Sequence, residues 1–180
     1  MEPFRELINR LELTDDNRLV LDTVPMVLMP RWFFVGILKR VVAEAGADTA
    51  ARIYYQAGFE GAYNWSKVQI DKGMKGAAVM EQYLGSMTSR GWGRFEIVSL
   101  DAANGRGVFR LHNSALALEL GRTEAAGCLW VPGALAGSMQ VISGLKDDSL
   151  KIGGREVQCL ASGASYCEYI VEPDPPEAGN

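Results

Sequence analysis

Apolar residues recur at helical spacing from Phe4 to Leu11, and Asp15-Asp16-Asn17 breaks the pattern before the apolar run Leu19-Val20-Leu21, which reads as a strand. Pro30 opens a predicted helix from Arg31 to Ala45, because proline is tolerated where the N–H would be unpaired, and Gly46 stops it. Asp48 is placed to cap the next helix, predicted over Thr49 to Val68. There Tyr54, Gly58, Gly61, Ala62 and Trp65 recur every three to four positions and leave one face with little bulk. Ala77 to Met87 repeats the helical period through Met80, Tyr83, Leu84 and Met87, and Gly91-Trp92-Gly93 ends it.

The period then changes. Phe95, Ile97 and Val98 on one side of Asn104-Gly105, and Val108, Phe109 and Leu111 on the other, predict a hairpin with an Asn-Gly turn. After His112-Asn113-Ser114 come an alternating Ala-Leu run to Leu120 and a polar break. A helix then enters near Pro132 and reaches Ile142, with Gly133 and Gly137 one turn apart for close packing. Leu150 to Leu160 and Tyr166 to Val171 predict two more strands joined by Ala161 to Ser165. Helices first and strands mainly later argue for an α+β fold, helices packed on an antiparallel sheet. The expected organisation is one domain over residues 1–172, mainly helical over 1–92, with hairpin, helix and strands over 93–172, followed by a mobile proline-rich tail at 173–180.

Composition narrows the function. With 180 residues, 48% hydrophobic and 22% charged, the chain has material for one ordinary core. A formal net charge of -4 and no basic run argue against nucleic-acid binding. The longest apolar stretch, Met26 to Leu38, is interrupted by Pro30 and Arg31, so no membrane span is expected. No secretory signal is visible, and the expected location is cytoplasmic. In that reducing compartment three cysteines point to metal or redox work rather than disulfides.

The strongest chemical signal is Glu156-x-x-Cys159-x7-Cys167, two thiols at the ends of a short loop between strands. Zinc takes thiolate and carboxylate ligands tetrahedrally, and Cys128 supplies a third sulfur, so three Cys and one Glu complete a closed site. The competing reading is three ordinary buried small hydrophobes. Strict strand alternation sends Glu156 and Cys159 to opposite faces, so a bulge or strong twist is required near Val157. A zinc with four protein ligands has no open position for water, and no G-x-S-x-G, phosphate loop or dinucleotide fingerprint is present; catalysis is not expected. The aromatic helices, with Phe59, Tyr63, Tyr83 and the flanking Trp92, offer lining for an apolar cavity, although aromatics at this spacing are usually core.

The motif Glu156-x-x-Cys159-x7-Cys167, preceded by Cys128-x4-Gly133-x3-Gly137 and by Leu111-His112-Asn113-Ser114, resembles the 4-vinyl reductase domain family over Arg94 to Val171. That family embraces the ligand-sensing domains of phenol- and xylene-responsive bacterial activators and, more distantly, TRAPP subunits. The resemblance implies a NO-signalling/Golgi-transport ligand-binding-like fold, a homodimer, and zinc on Cys128, Glu156, Cys159 and Cys167. The last three match in spacing, whereas the segment from Cys128 to Glu156 is longer here, with Gly144 to Ser149 the place for the extra residues. A phenol-contacting aromatic of the family falls on Leu111, a departure that leaves the ligand unnamed. Leu111, His112, Tyr83, Trp92, Phe59 and Tyr63 are the pocket candidates, with His112 also an alternative fourth ligand or a half-buried strand-end residue. The implied function is a zinc-stapled small-molecule-binding or sensory module for an apolar or aromatic ligand. A carrier or reductase accessory for a vinyl-bearing tetrapyrrole and a dimeric assembly unit are the alternatives.

Overall fold

The computed structural model describes residues 7–21, 24–123, 127–143 and 151–174. Residues 7–10 are helical, and the chain then forms an antiparallel meander of three short strands, β1 (Leu11–Leu13), β2 (Leu19–Leu21) and β3 (Val24–Met26). Only β2 was legible as an apolar run. The helix expected from Phe4 to Leu11 ends earlier, because Leu11 pairs with Leu21, and its first residues lie outside the described ones.

Three helices follow, α1 (Arg31–Ala45), α2 (Ala47–Asp71) and α3 (Ala77–Ser89). Gly46, at φ 81°, both ends α1 and stands at the N-cap of α2, so Asp48 lies in the first turn of α2 instead of capping it. An acidic side chain there still complements the positive end of the helix.

The second half supplies the main sheet: β4 (Arg94–Asp101) and β5 (Arg106–His112) form a hairpin, and β6 (Ile152–Gln158) and β7 (Cys167–Pro173) a second. The order is β4-β5-β7-β6, antiparallel throughout. The first hairpin turns through a short 3-10 segment, Ala102–Asn104, held by the Asp101 carboxylate, and Gly105 alone takes the left-handed conformation at φ 64°. The Ala-Leu run is a helix, α4 (Ala115–Leu120), because the Ser114 side chain accepts the Ala117 N–H and caps it. Helix α5 (Val131–Ile142) completes the fold.

Helix α5 is apolar or small on nearly every face, and it lies between the sheet strands β6 and β7 and helix α2. A Cβ on Gly133 or Gly137 would collide with the backbone carbonyls of Tyr55 and Phe59 on α2, so the two helices touch backbone to backbone. Ser66 of α2 and Ser138 of α5 satisfy each other inside this contact at 2.9 Å. The core runs from α3 (Val79, Met80, Tyr83) through Phe109, Leu111 and Tyr169 to Leu135 and Met139. Strand β7 runs to Pro173, the first residue of the expected tail; residues 175–180 and the segment 144–150, where a length change was expected, lie outside the described residues.

Candidate metal centre and adjacent cavity

The bulge required near Val157 is present. Glu156 pairs with Tyr169 and Gln158 with Glu168, so the register slips by one residue between them and Val157 turns outward, 44% exposed. The slip brings Glu156 to the same side as Cys159. Past Cys159 the chain winds through a 3-10 turn, Leu160–Ser162, closed by the Ser162 hydroxyl donating to the Cys159 carbonyl at 2.8 Å and by Gly163 at φ 102°. The turn returns the chain to Cys167 at the start of β7, and the Leu160 N–H points at Cys167 Sγ at 3.3 Å. Cys128 enters from the turn preceding α5, its carbonyl accepting the Val131 N–H at 3.0 Å.

One donor atom from each of Cys128, Glu156, Cys159 and Cys167 lies within 4.8 Å of the others. Cys128 Sγ and Cys159 Sγ sit 3.9 and 3.8 Å from Cys167 Sγ, and all three thiols are buried and free of disulfides. Both carboxylate oxygens of Glu156 are buried with no well-aligned hydrogen-bond partner among the described residues. Burial, then the charge of Cys159, pushes this carboxyl up to about 8. Hydrogen bonds with Cys159 and Cys167 raise the Cys128 thiol, while bonds from Cys128 and Cys167 lower Cys159. Four anionic donors so close together repel unless protons or a cation lie among them. An orphaned carboxylate beside three thiols in a dry pocket therefore fits a soft divalent metal, and the donor set is one that zinc accepts.

His112 takes no part in this cluster. It points to the other face of β5 from Leu111, and its Nε2 lies 2.7 Å from Glu96 Oε2, with the Tyr166 ring 5.4 Å away. Leu111 is buried in the core, and Tyr83 is buried against Trp65 with ring centroids 5.3 Å apart. Phe59 and Tyr63 stack on each other at 6.1 Å.

A separate cavity of about 280 Å³ opens between the N-terminal meander, the start of α1, the end of α3 and α4. Leu21, Met26, Phe34, Trp92 and Leu116 line it, together with Arg31 and Arg90. Of the six pocket candidates, Trp92 alone is among its lining residues. Phe59, Tyr63 and Tyr83 were inferred from helical aromatics and Leu111 and His112 from the family resemblance, whereas this cavity depends on strands too short to show a period.

Two further groups join cavity and cluster. Ser114 is buried, with its hydroxyl 3.1 Å from Cys128 Sγ, and the next two residues line the cavity. Trp130, two residues past Cys128, meets Trp92 edge to face at 4.9 Å, and its indole N–H is buried without a hydrogen-bond partner among the described residues. A serine before an apolar run is a helix-start signal, so Ser114 was findable; nothing local marks Trp130.

A family model described as a domain of unknown function (DUF5943) matches residues 10–98, which include most of the cavity wall but no member of the cysteine cluster. A search of curated proteins finds no match. Among solved structures, the chain is similar to the phenol-responsive sensory domain of the transcription activator PoxR with phenol, at a TM-score of 0.77 and 19% identity, covering 96% of this chain and 89% of that one. It is similar to a vinyl-4-reductase family protein from Methanocaldococcus jannaschii at a TM-score of 0.54 and 17% identity, covering 83% and 85% of the two chains. A trafficking protein particle complex subunit 3 from Naegleria fowleri, covalently bound to palmitic acid, gives 0.51 at 8% identity, over 81% and 96%. At these identities the likeness is one of fold, an α+β arrangement with helices packed on an antiparallel sheet.

Proposed function

We propose that this chain is a small-molecule-binding sensory domain of the 4-vinyl reductase type, stapled by zinc at Cys128, Glu156, Cys159 and Cys167. The observation that carries the reading is an apolar cavity whose wall residues Trp92 and Leu116 stand one contact away from the chain around Cys128. A closed site of four protein ligands supplies no activated water; its contribution is to tie the β6-β7 hairpin to the turn before α5. The cavity volume lies at the small end of the about 300–1,000 Å³ typical of ligand sites, which favours a compact one-ring or short-chain ligand over a tetrapyrrole. Likeness of fold to a phenol-responsive sensory domain supports the same direction.

Native mass spectrometry of the purified chain is expected to show a bound small molecule or to show one taken up from a panel of simple aromatics and short-chain acids; protein that remains empty throughout would sink the reading. Elemental analysis is expected to give one zinc per chain, lost in both Cys159→Ser and Cys128→Ser. Zinc retained in Cys128→Ser would remove that residue from the site.

The exposed apolar run Val27, Leu28, Trp32 and Phe33, at 78, 78, 65 and 47% exposure, favours association with a second copy of the chain as the output surface. Light scattering after size exclusion is expected to give a dimer for the native chain and a monomer for Trp32→Asp. A native monomer would count against it.

A further inference from the structure

Resting on the zinc reading above, we propose that Ser114 and Tyr169 are positioning residues of the metal centre, their hydroxyls converging on the sulfur of Cys128 and donating hydrogen bonds to it when it serves as a ligand. Three thiolates and a carboxylate set four negative charges against the two of a zinc ion. Excess charge in a buried pocket is costly unless donors disperse it. At two of the sulfurs the backbone does this: the Leu160 N–H points at Cys167 Sγ, and the Ala161 and Gly127 N–H groups reach Cys159. At Cys128 that part falls to side-chain hydroxyls.

Ser114 is buried at the N-cap of α4, with its Oγ 3.1 Å from Cys128 Sγ. The same oxygen accepts the Ala117 N–H at 3.3 Å, which leaves the hydroxyl hydrogen to turn toward sulfur. A thiolate has no hydrogen to give, so the serine donates.

Tyr169 comes from the sheet. It lies two residues past Cys167 on β7, hence on the same face, and opposite Glu156 across the β6-β7 ladder. Its side chain is fully buried, and its hydroxyl has no well-aligned hydrogen-bond partner among the described residues. Burial first, then charge on Cys128, Glu156 and Cys167 and a hydrogen bond with Cys128, push the phenol well above its ordinary range. Cys128 is thus the acceptor in reach, short of ideal alignment, and a phenol that keeps its proton among these charges meets sulfur as a donor. A phenylalanine would fill the same space, so the buried oxygen is accounted for by the acceptor beside it.

Cys128 reaches the cluster from the turn before α5, far along the chain from the other three donors. Hydroxyls from α4 and β7 fix its sulfur against both elements, and outer partners of this kind orient a ligand and hold the metal more tightly. Without them Cys128 is the first ligand to let go.

The test uses the full chain loaded with zinc or with cobalt(II). Tyr169→Phe and Ser114→Ala are each expected to weaken zinc about tenfold in competition with a chromophoric chelator. Each should also move the sulfur-to-cobalt charge-transfer bands to lower energy, because a sulfur that loses a hydrogen bond holds its electrons less firmly. Ser114→Thr, which keeps a hydroxyl, should restore the native bands, and Tyr83→Phe, which removes a buried phenol oxygen on α3, should leave them in place. A role in packing alone would lower the melting temperature without moving the bands. Bands that stay fixed in both Tyr169→Phe and Ser114→Ala while metal still binds would overturn the proposal and leave the zinc reading standing; a shift in one variant alone would remove the other residue from the role. Should Tyr169→Phe not fold, the native chain loaded with a spin-active cadmium isotope decides by magnetic resonance: scalar coupling from the Tyr169 hydroxyl proton to the metal supports the donor, and its absence rejects it. A native chain that takes up none of these metals would bring down the zinc reading and this proposal together.

Discussion

At the scale of single residues, Glu156 carries the sharpest consequence. Its carboxyl is pushed up from 4.5 to about 8 in the folded chain without metal, so the folded state holds a proton that the unfolded state has released across that interval. A group whose folded pKa is raised contributes stability that is complete below the unfolded pKa and is lost as pH climbs through the folded one. The Glu156 contribution alone falls from pH 5 to pH 8, while the lowered Cys159 thiol acts in the opposite sense, so the melting temperature of metal-stripped protein is expected to drop with pH relative to that of Glu156→Gln. Zinc would replace the proton as the counter-charge, so zinc-loaded protein should hold its midpoint across the same window; the same pH dependence of melting in stripped native protein and in Glu156→Gln would contradict the assignment. Three of the four donors were legible because Glu156, Cys159 and Cys167 fall within one hairpin, where sequence spacing is nearly spatial spacing. Cys128 was legible by its sulfur and by the glycines Gly133 and Gly137 that follow it, not by its distance from the others, since 28 positions separate it from Glu156 and tertiary packing of α5 closes that gap.

At the scale of elements, the contact between α2 and α5 is the least forgiving part of the fold. Gly137→Ala places a methyl against the Phe59 carbonyl, a backbone atom that cannot swing aside, and a cost of about 1–3 kcal/mol is expected in urea unfolding. Gly61→Ala on the same α2 helix meets nothing within 4 Å and is expected to be neutral or mildly stabilising. Equal effects of the two would refute the close-contact account. The paired glycines Gly133 and Gly137 announced this approach in the sequence because a one-turn repeat of small residues has few other uses. The helices α1 and α3 were legible from their period and from Gly46 and Gly91. Apart from β2, the N-terminal meander was not: strands of three residues, with Pro25 inside β3, show neither alternation nor a turn dipeptide, and only pairing in space defines β1 and β3. The Ala-Leu run carried a helix cap at Ser114 that outweighed its alternating look.

At the scale of the whole molecule, cavity and cluster are joined twice, by Ser114 between Cys128 and Ala115, and by Trp92 against Trp130, with the Ala115 N–H donating to the Trp92 carbonyl at 2.9 Å. A coupling free energy between a ligand in the cavity and a metal in the cluster would be reciprocal. Met26→Trp fills the cavity without reaching a thiol, and it is expected to change the rate at which zinc passes to a chromophoric chelator by about fivefold or more. Identical rates would make the two sites independent. The fold was readable at this scale as an α+β domain, yet the position of its cavity was not, because the helical aromatics that suggested a pocket pack on one another. A second group of aromatics, which includes Trp92, has an optical consequence. Tyr54, Phe34, Trp92 and Trp130 form a continuous series of ring contacts with centroids 6.3, 5.6 and 4.9 Å apart. Two indoles at the shortest of these separations are expected to couple their excited states, so circular dichroism should show an exciton signature that vanishes in Trp92→Phe, and a shift in that signature on adding metal or a small molecule would report occupancy of either neighbouring site without an added dye.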